Sequence, residues 1–346
     1  MVLIQASSAA IPSYVMQSNF LPNKILEGID RVNKNFLWGS SDHKRKMHWV
    51  NWAEVTKLKE IGRLGLQSAR GRNTSLLAKL NWRLHTKKEA QWAKVLRFKY
   101  CTRQRVNSRN KPKLSSSPTW KGLEKGEAIF REGIKWVPWH ESSLNFWSDC
   151  WSDRSPIKSR IQGPLPQDSA NLTIKDLIAP FGWKWSNLPF KLSTEIKANI
   201  QAVPVPIVAR SNDKLAWKFS TKGEFDLNSA YLLASNLMEV ESFPGSWIWK
   251  LQILPRIQMF IWKYMHNSIG VKNCLANRGI PIDTSCPLCH DQVESISNAL
   301  QDCQVVKTVW LHLGIHYSNS LFFYQDIRTW LAANIVKTTR TFKGVP

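Results

Sequence analysis

Acidic residues are scarce in this chain: 25 Asp and Glu stand against 48 Lys and Arg in 346 residues. No two aspartates are adjacent, and no cluster of carboxylates follows Cys303. A two-metal catalytic centre needs paired carboxylates to hold its ions, and that pairing is missing here. Cysteine is also limited. Six cysteines in a chain this long do not make a disulfide scaffold. Cys101, Cys150 and Cys274 are isolated, a pattern that fits a reducing, intracellular compartment. No run of eighteen apolar residues occurs, so no membrane span is expected. Residues 1–17 lack a basic leading region and are interrupted by Pro12, so they read as a helix of a larger protein rather than a signal peptide. No internal repeat of fixed period is present.

Positive charge and tryptophan are abundant. The net charge is +23, and residues 1–113 hold 23 Lys and Arg against 6 Asp and Glu, a local excess of +17. Such an excess points to a polyanionic partner, most simply nucleic acid. Eighteen tryptophans and 43% apolar residues argue for packed cores, since disordered chains are poor in aromatics. The length predicts two or three domains.

Helical periodicity dominates the first hundred residues. Ile25, Ile29, Val32, Phe36 and Leu37 recur at helical spacing, and the segment ends at Gly39. A second helical block carries Leu76, Leu77, Leu80, Trp82 and Leu84, with Lys79 and Arg83 four apart on one face. A third carries Trp92, Val95, Leu96 and Phe98. Residues 101–118 are basic and rich in Ser, which predicts a linker. Residues 120–130 read as helical, and residues 136–151 alternate like a short hairpin. Pro-containing stretches at 163–168 and 204–206 break the chain. Residues 214–219 alternate like a strand, Thr221–Gly223 reads as a turn, and residues 224–227 return. Short helices are expected at 228–237 and 257–266, followed by helical runs near 293–314 and 322–336.

Cys286-Pro-Leu-Cys289, followed by Cys303, is the strongest chemical motif. Thiolates bind zinc well, and a two-residue spacer lets one tight turn aim both sulfurs at a metal. No fourth cysteine is near, and no histidine lies between His290 and His312. His290 is a possible fourth ligand, although it directly follows Cys289. The other reading is three buried thiols in a small helical subdomain, because free cysteine packs as a small hydrophobe.

Several motifs then fall in order. Leu254-Pro-Arg-Ile-Gln-Met-Phe-Ile-Trp262, Asn267, Arg278-Gly279 and the Cys286/Cys289 pair resemble the zinc-binding region of plant LINE-type (non-LTR) retrotransposon reverse transcriptases. Ile11-Pro12, Phe36-Leu-Trp38-Gly39, His48-Trp49, Trp52, Asn73, Trp82-Arg83, Phe146-Trp147, Trp151 and Trp217-Lys-Phe219 extend the resemblance over nearly the whole chain. The resemblance implies a mainly α fold with short β-hairpins. It comprises a basic helical thumb-like region (1–100), a linker (101–118), a Trp-rich connector (119–205), a small α-helical zinc-binding-like domain (206–336) and a tail (337–346). It also implies zinc as cofactor, with Cys286, Cys289 and Cys303 as ligands. The family histidine falls five residues before the last cysteine, where this chain has Asn298, whose neutral amide oxygen is a much weaker zinc donor than imidazole. Met1 falls where the family's chain is in mid-protein, which implies a fragment without its own catalytic centre.

Candidate nucleic-acid contacts are Lys44, Arg45, Lys46, Lys79, Arg83, Arg256 and Lys263, with Lys87, Lys88, Lys94, Arg97 and Lys99 as further candidates. Contacts of this kind neutralise phosphates and release counterions, and no base-reading pattern is visible. Met259, Phe260 and Trp262 beside Arg256 and Lys263 read as core rather than as base-stacking residues. His43, His48, His85 and His140 read as packed or surface histidines without catalytic partners. The leading expectation is a noncatalytic reverse-transcriptase fragment that binds RNA or an RNA–DNA duplex with little sequence specificity. It would be intracellular, and nuclear if functional, with no membrane partner and no small-molecule substrate. A degenerate open reading frame without function, and a co-opted interaction protein docking through the Trp-rich middle, remain open alternatives.

Overall fold

The computed structural model describes residues 3–8, 10–41, 43–59, 62–101, 116–152, 155–179, 182–203, 212–238, 245–314, 320–323, 325–326 and 328–331. Most of the expected linker (102–115), the expected break at 204–206 and the expected tail lie outside the described residues. Helices of seven residues or more are α1 (Ala10–Met16), α2 (Asn23–Trp38), α3 (Ala69–Thr86), α4 (Pro118–Gly133), α5 (Thr194–Gln201), α6 (Leu227–Ala234), α7 (Pro255–Met265) and α8 (Gln304–His312). Among the described residues there are also two two-stranded antiparallel sheets. β1 (Ile134–Val137) pairs with β4 (Lys214–Trp217), and β2 (Ile178–Ala179) pairs with β3 (Gly182–Trp183). The fold is therefore mainly α with short antiparallel pairs, as expected. The hairpin expected within 136–151 is replaced by a pairing of distant segments, Ile134 opposite Trp217 and Val137 opposite Lys214. Residues 224–227 do not return as a strand; Asp226 instead caps α6, its side chain accepting from the Asn228 and Ser229 N–H groups.

The chain divides into two compact units. One comprises residues 1–8, 29–68 and 240–346, and the other residues 9–28 and 69–239.

In the second unit α3 and α4 pack closely. Ser117 caps α4, accepting from the Trp120 N–H, and Pro118 opens the helix. Gly122 and Gly126, four apart on one helical face, let α4 approach α3. A Cβ at Gly126 would lie 2.4 Å from the Leu77 carbonyl carbon. Asn73 on α3 is fully buried and ties down the chain after α1. Its amide donates to the carbonyls of Met16 (3.0 Å) and Asn19 (2.9 Å), and its oxygen accepts from Leu21 N–H (2.9 Å). All its bonds go to otherwise orphaned backbone at the end of a short helix. Trp217 on β4 packs with Ala230, Leu233, Trp82 and Phe225, and its indole N–H donates to Ser229 Oγ at 2.8 Å.

The Trp-rich middle builds its own core from Phe146, Trp147, Trp151, Ile174, Leu177 and Ile196. Both buried indoles are satisfied: Trp147 donates to the Ser169 carbonyl at 2.9 Å and Trp151 to the Phe146 carbonyl at 3.0 Å. These rings are interior.

The first unit is centred on α7. Trp262, Tyr264, Met265 and Ile261 pack with Trp38, Val55, Leu64, Leu66 and Ile248. Trp262 donates its indole N–H to the Gly62 carbonyl at 3.1 Å. Beside it, Arg63 pairs with Glu54 at 2.7 Å and faces the His266 ring at 3.1 Å. Burial, and then the Arg63 charge, push the His266 pKa down to about 4. His266 in the unfolded chain protonates near pH 6.5, well before the folded ring does. The unfolded state therefore binds more protons between about pH 6.5 and pH 4, and stability falls as pH drops through that window. Thermal unfolding followed across this range should show a declining midpoint, and His266→Gln should flatten the decline.

Candidate metal centre and basic surfaces

The cysteine trio is built by a tight turn and a short helix. Cys286 N–H donates to the Gln292 carbonyl at 2.7 Å, and Ser285 and Val293 form a bridge, so the turn closes on itself. His290 adopts a left-handed backbone, φ +60°, and its N–H donates to the Cys286 carbonyl at 2.9 Å. A one-turn π-helix, Asn298–Asp302, then delivers Cys303, whose N–H donates to the Asn298 carbonyl at 3.1 Å. The ligand atoms of Cys286, Cys289 and Cys303 all lie within 4.8 Å of one another, and Cys286 and Cys303 Sγ are 3.9 Å apart. Among the described residues this is the one group of three or more His, Cys, Asp or Glu side chains close enough to share a metal ion.

His290 does not join that group. Its backbone closes the turn while its side chain is exposed. Asn298 is buried, 2% exposed. Its Nδ2 donates to Gln292 Oε1 at 2.9 Å, and its Oδ1 is buried without a hydrogen-bond partner. Through Gln292 and Cys303, Asn298 is bonded to both ends of the cluster. An orphaned acceptor here is costly, on the order of 1–3 kcal/mol. Hydrogen bonds from the backbone N–H groups of Asp291 and then Gln292 favour the Cys289 thiolate, lowering its pKa. Burial raises the Cys303 thiol. Three convergent thiols fit zinc in three of its four tetrahedral positions, and no imidazole stands at the fourth.

The expected nucleic-acid residues fall in both units. Lys44, Arg45 and Lys46 lie on an exposed loop after α2, held by the Ser40 hydroxyl, which accepts from Lys46 N–H at 3.0 Å. Lys79 is exposed on α3, whereas the Arg83 guanidinium lies 5.5 Å from the Trp92 ring centroid. Arg256 is exposed on α7. Lys263 is half-buried with Nζ 5.3 Å from the Trp38 ring centroid, and burial lowers its pKa. Phe260, expected in the core, is 47% exposed beside Arg256, while Trp262 is fully buried. An α-helix of eleven residues cannot turn Phe260 and Trp262 to the same side, and the core took Trp262. Arg278 carries no sequence signal beyond its place in the Arg278-Gly279 motif. Its guanidinium in fact donates to the His48 carbonyl at 3.0 Å and to the Trp49 carbonyl, with Cζ 5.3 Å from the Trp49 ring centroid.

Residues 225–310 match the family described as zinc-binding in reverse transcriptase. This part of the chain is thus related to the zinc-binding region of reverse transcriptases, the relationship its ordered motifs imply. The chain is 29% identical over 345 residues to an Arabidopsis thaliana protein named "Putative ribonuclease H protein", covering 97% of this chain and 55% of that one. It therefore spans about half the length of that relative. It is also 26% identical over 152 residues to an uncharacterized mitochondrial protein of Arabidopsis thaliana, covering 43% of this chain and 97% of that protein. No solved structure matches the chain. No helix among the described residues is long and apolar enough to cross a membrane.

Proposed function

We propose that this chain is a noncatalytic nucleic-acid-binding module of a retrotransposon-type reverse transcriptase, with a zinc-binding subdomain lacking its fourth protein ligand. The observation that carries this reading is the junction of the reverse-transcriptase zinc-binding match at 225–310 with a net charge of +23. Cys286, Cys289 and Cys303 would hold the metal, which when bound supplies a cross-link between the turn and the helix that follows Cys303. The chain's own part is positional. The turn fixes two sulfurs, the π-helix fixes the third, and exposed Lys and Arg side chains meet phosphates. The noncatalytic reading is supported by the sequence, which has no paired aspartates.

Filter binding of the whole chain to RNA and to an RNA–DNA duplex, each in two unrelated sequences, tests this. Affinities should agree within a few-fold between sequences, since phosphate contacts carry no sequence information. Failure to retain any nucleic acid at low salt would refute the reading.

A further inference from the structure

Two cavities in the first unit meet at one histidine. The first, about 470 Å³, is lined by Arg31, Asn35, Ser40, Arg45, Lys46 and His48 among others. The second, about 370 Å³, is lined by Trp38, His48, Trp49, Trp52, Lys34 and Arg278 among others. Both sizes fall in the range of small-ligand sites. No carboxylate lines either one among the described residues. The loop carrying Arg45 and Lys46 is ordered by its own bonds: Ser40 Oγ contacts the Lys46 N–H and carbonyl, and Ser40 N–H donates to the Asn35 carbonyl at 2.8 Å.

The second cavity has a different chemistry. Trp38, Trp49 and Trp52 form an aromatic wall, and His48 lies against Trp38 with ring centroids 6.5 Å apart at an interplanar angle of 26°. His48 is exposed and lines both cavities. Arg278 holds the His48 and Trp49 carbonyls and fixes this stack. A basic cavity adjoining a rigid aromatic wall suits one kind of ligand. Phosphates lie against the cations while unpaired bases stack on the rings. In a duplex the base faces are already stacked and cannot enter.

We propose that the His48 groove is a binding site for single-stranded nucleic acid, with Arg31, Arg45 and Lys46 on the phosphates and His48 as the stacking platform. This rests on the nucleic-acid reading above but narrows it to an unpaired strand and one face of one unit.

The test is fluorescence anisotropy of the whole chain with a labelled single-stranded RNA, the same strand with abasic sites, and a blunt duplex of equal length. His48→Ala and Arg45→Ala/Lys46→Ala are compared with Lys121→Ala, a cation in the other unit; all these side chains are exposed. His48→Ala should weaken single-strand binding about five- to tenfold and leave abasic and duplex binding unchanged, the expected loss for one stacked base. Arg45→Ala/Lys46→Ala should weaken the intact and the abasic strand equally, by about tenfold or more, and lower the salt dependence. Unchanged single-strand affinity in both groove variants, with binding by the parent chain intact, would overturn the groove but not the general reading. Absence of binding by the parent chain would overturn both.

Discussion

Asn298→His should raise the zinc content of the purified chain from well below one ion per molecule to one. The position is already prepared. Asn298 is buried, its backbone is bonded to Cys303, and its side-chain oxygen has no partner. Three thiols from Cys286, Cys289 and Cys303 converge within 4.8 Å, so the metal lacks one protein donor. Structural zinc in a four-ligand site contributes roughly 10–16 kcal/mol, or about 3 kcal/mol per ligand if shared equally. That corresponds to about a hundredfold in affinity for the added imidazole. Metal analysis after dialysis against a moderate chelator reads the difference directly, and Cys303→Ser should abolish retention in both backgrounds. Tight, stoichiometric zinc in the parent chain would defeat this account of Asn298.

Gly126→Ala should destabilise the second unit by about 3 kcal/mol, while Gly28→Ala should be neutral or slightly stabilising. Both glycines lie in helices, and alanine is the better helix former by about 1 kcal/mol. Surroundings decide the sign. Nothing lies within 4 Å of a Cβ at Gly28. A Cβ at Gly126 meets the Leu77 carbonyl carbon at 2.4 Å and the Ala78 nitrogen at 2.7 Å. These are backbone atoms of α3 and cannot swing aside as a side chain would, so α3 and α4 must separate. Overpacking typically costs about 1–3 kcal/mol, and a rigid helical backbone puts this case at the upper end, above the propensity gain. Denaturant unfolding followed by far-UV circular dichroism checks both variants. Equal midpoints for the two would contradict the close approach of α3 and α4.

Helices and the metal motif were legible in the sequence because their signals are local. The spacing of Ile25, Ile29, Val32 and Phe36 does form α2. It does not say which face is buried. Ile25, Val32 and Phe36 are 50–59% exposed, and the helix instead buries Leu26, Asn33 and Trp38. Asn33 could turn inward because the Ser8 hydroxyl donates to it, a partner 25 residues away that no periodicity reveals. The pairing of β1 with β4 was hidden for the same reason. Each strand has four residues, and their partners are separated by most of the Trp-rich middle. In the candidate site, the cysteines announce themselves by spacing. The groove at His48 does not, because Arg31, His48 and Arg278 come from three separate segments. Its one sequence signal is the His48-Trp49 pair followed closely by Trp52.

The salt dependence of RNA binding by the whole chain tests the central claim most directly. With at least four Lys or Arg on phosphates, the logarithm of affinity should fall against the logarithm of salt with a slope of about −3 or steeper, a loss of roughly a hundredfold between about 50 and 200 mM. A slope near zero would contradict the account.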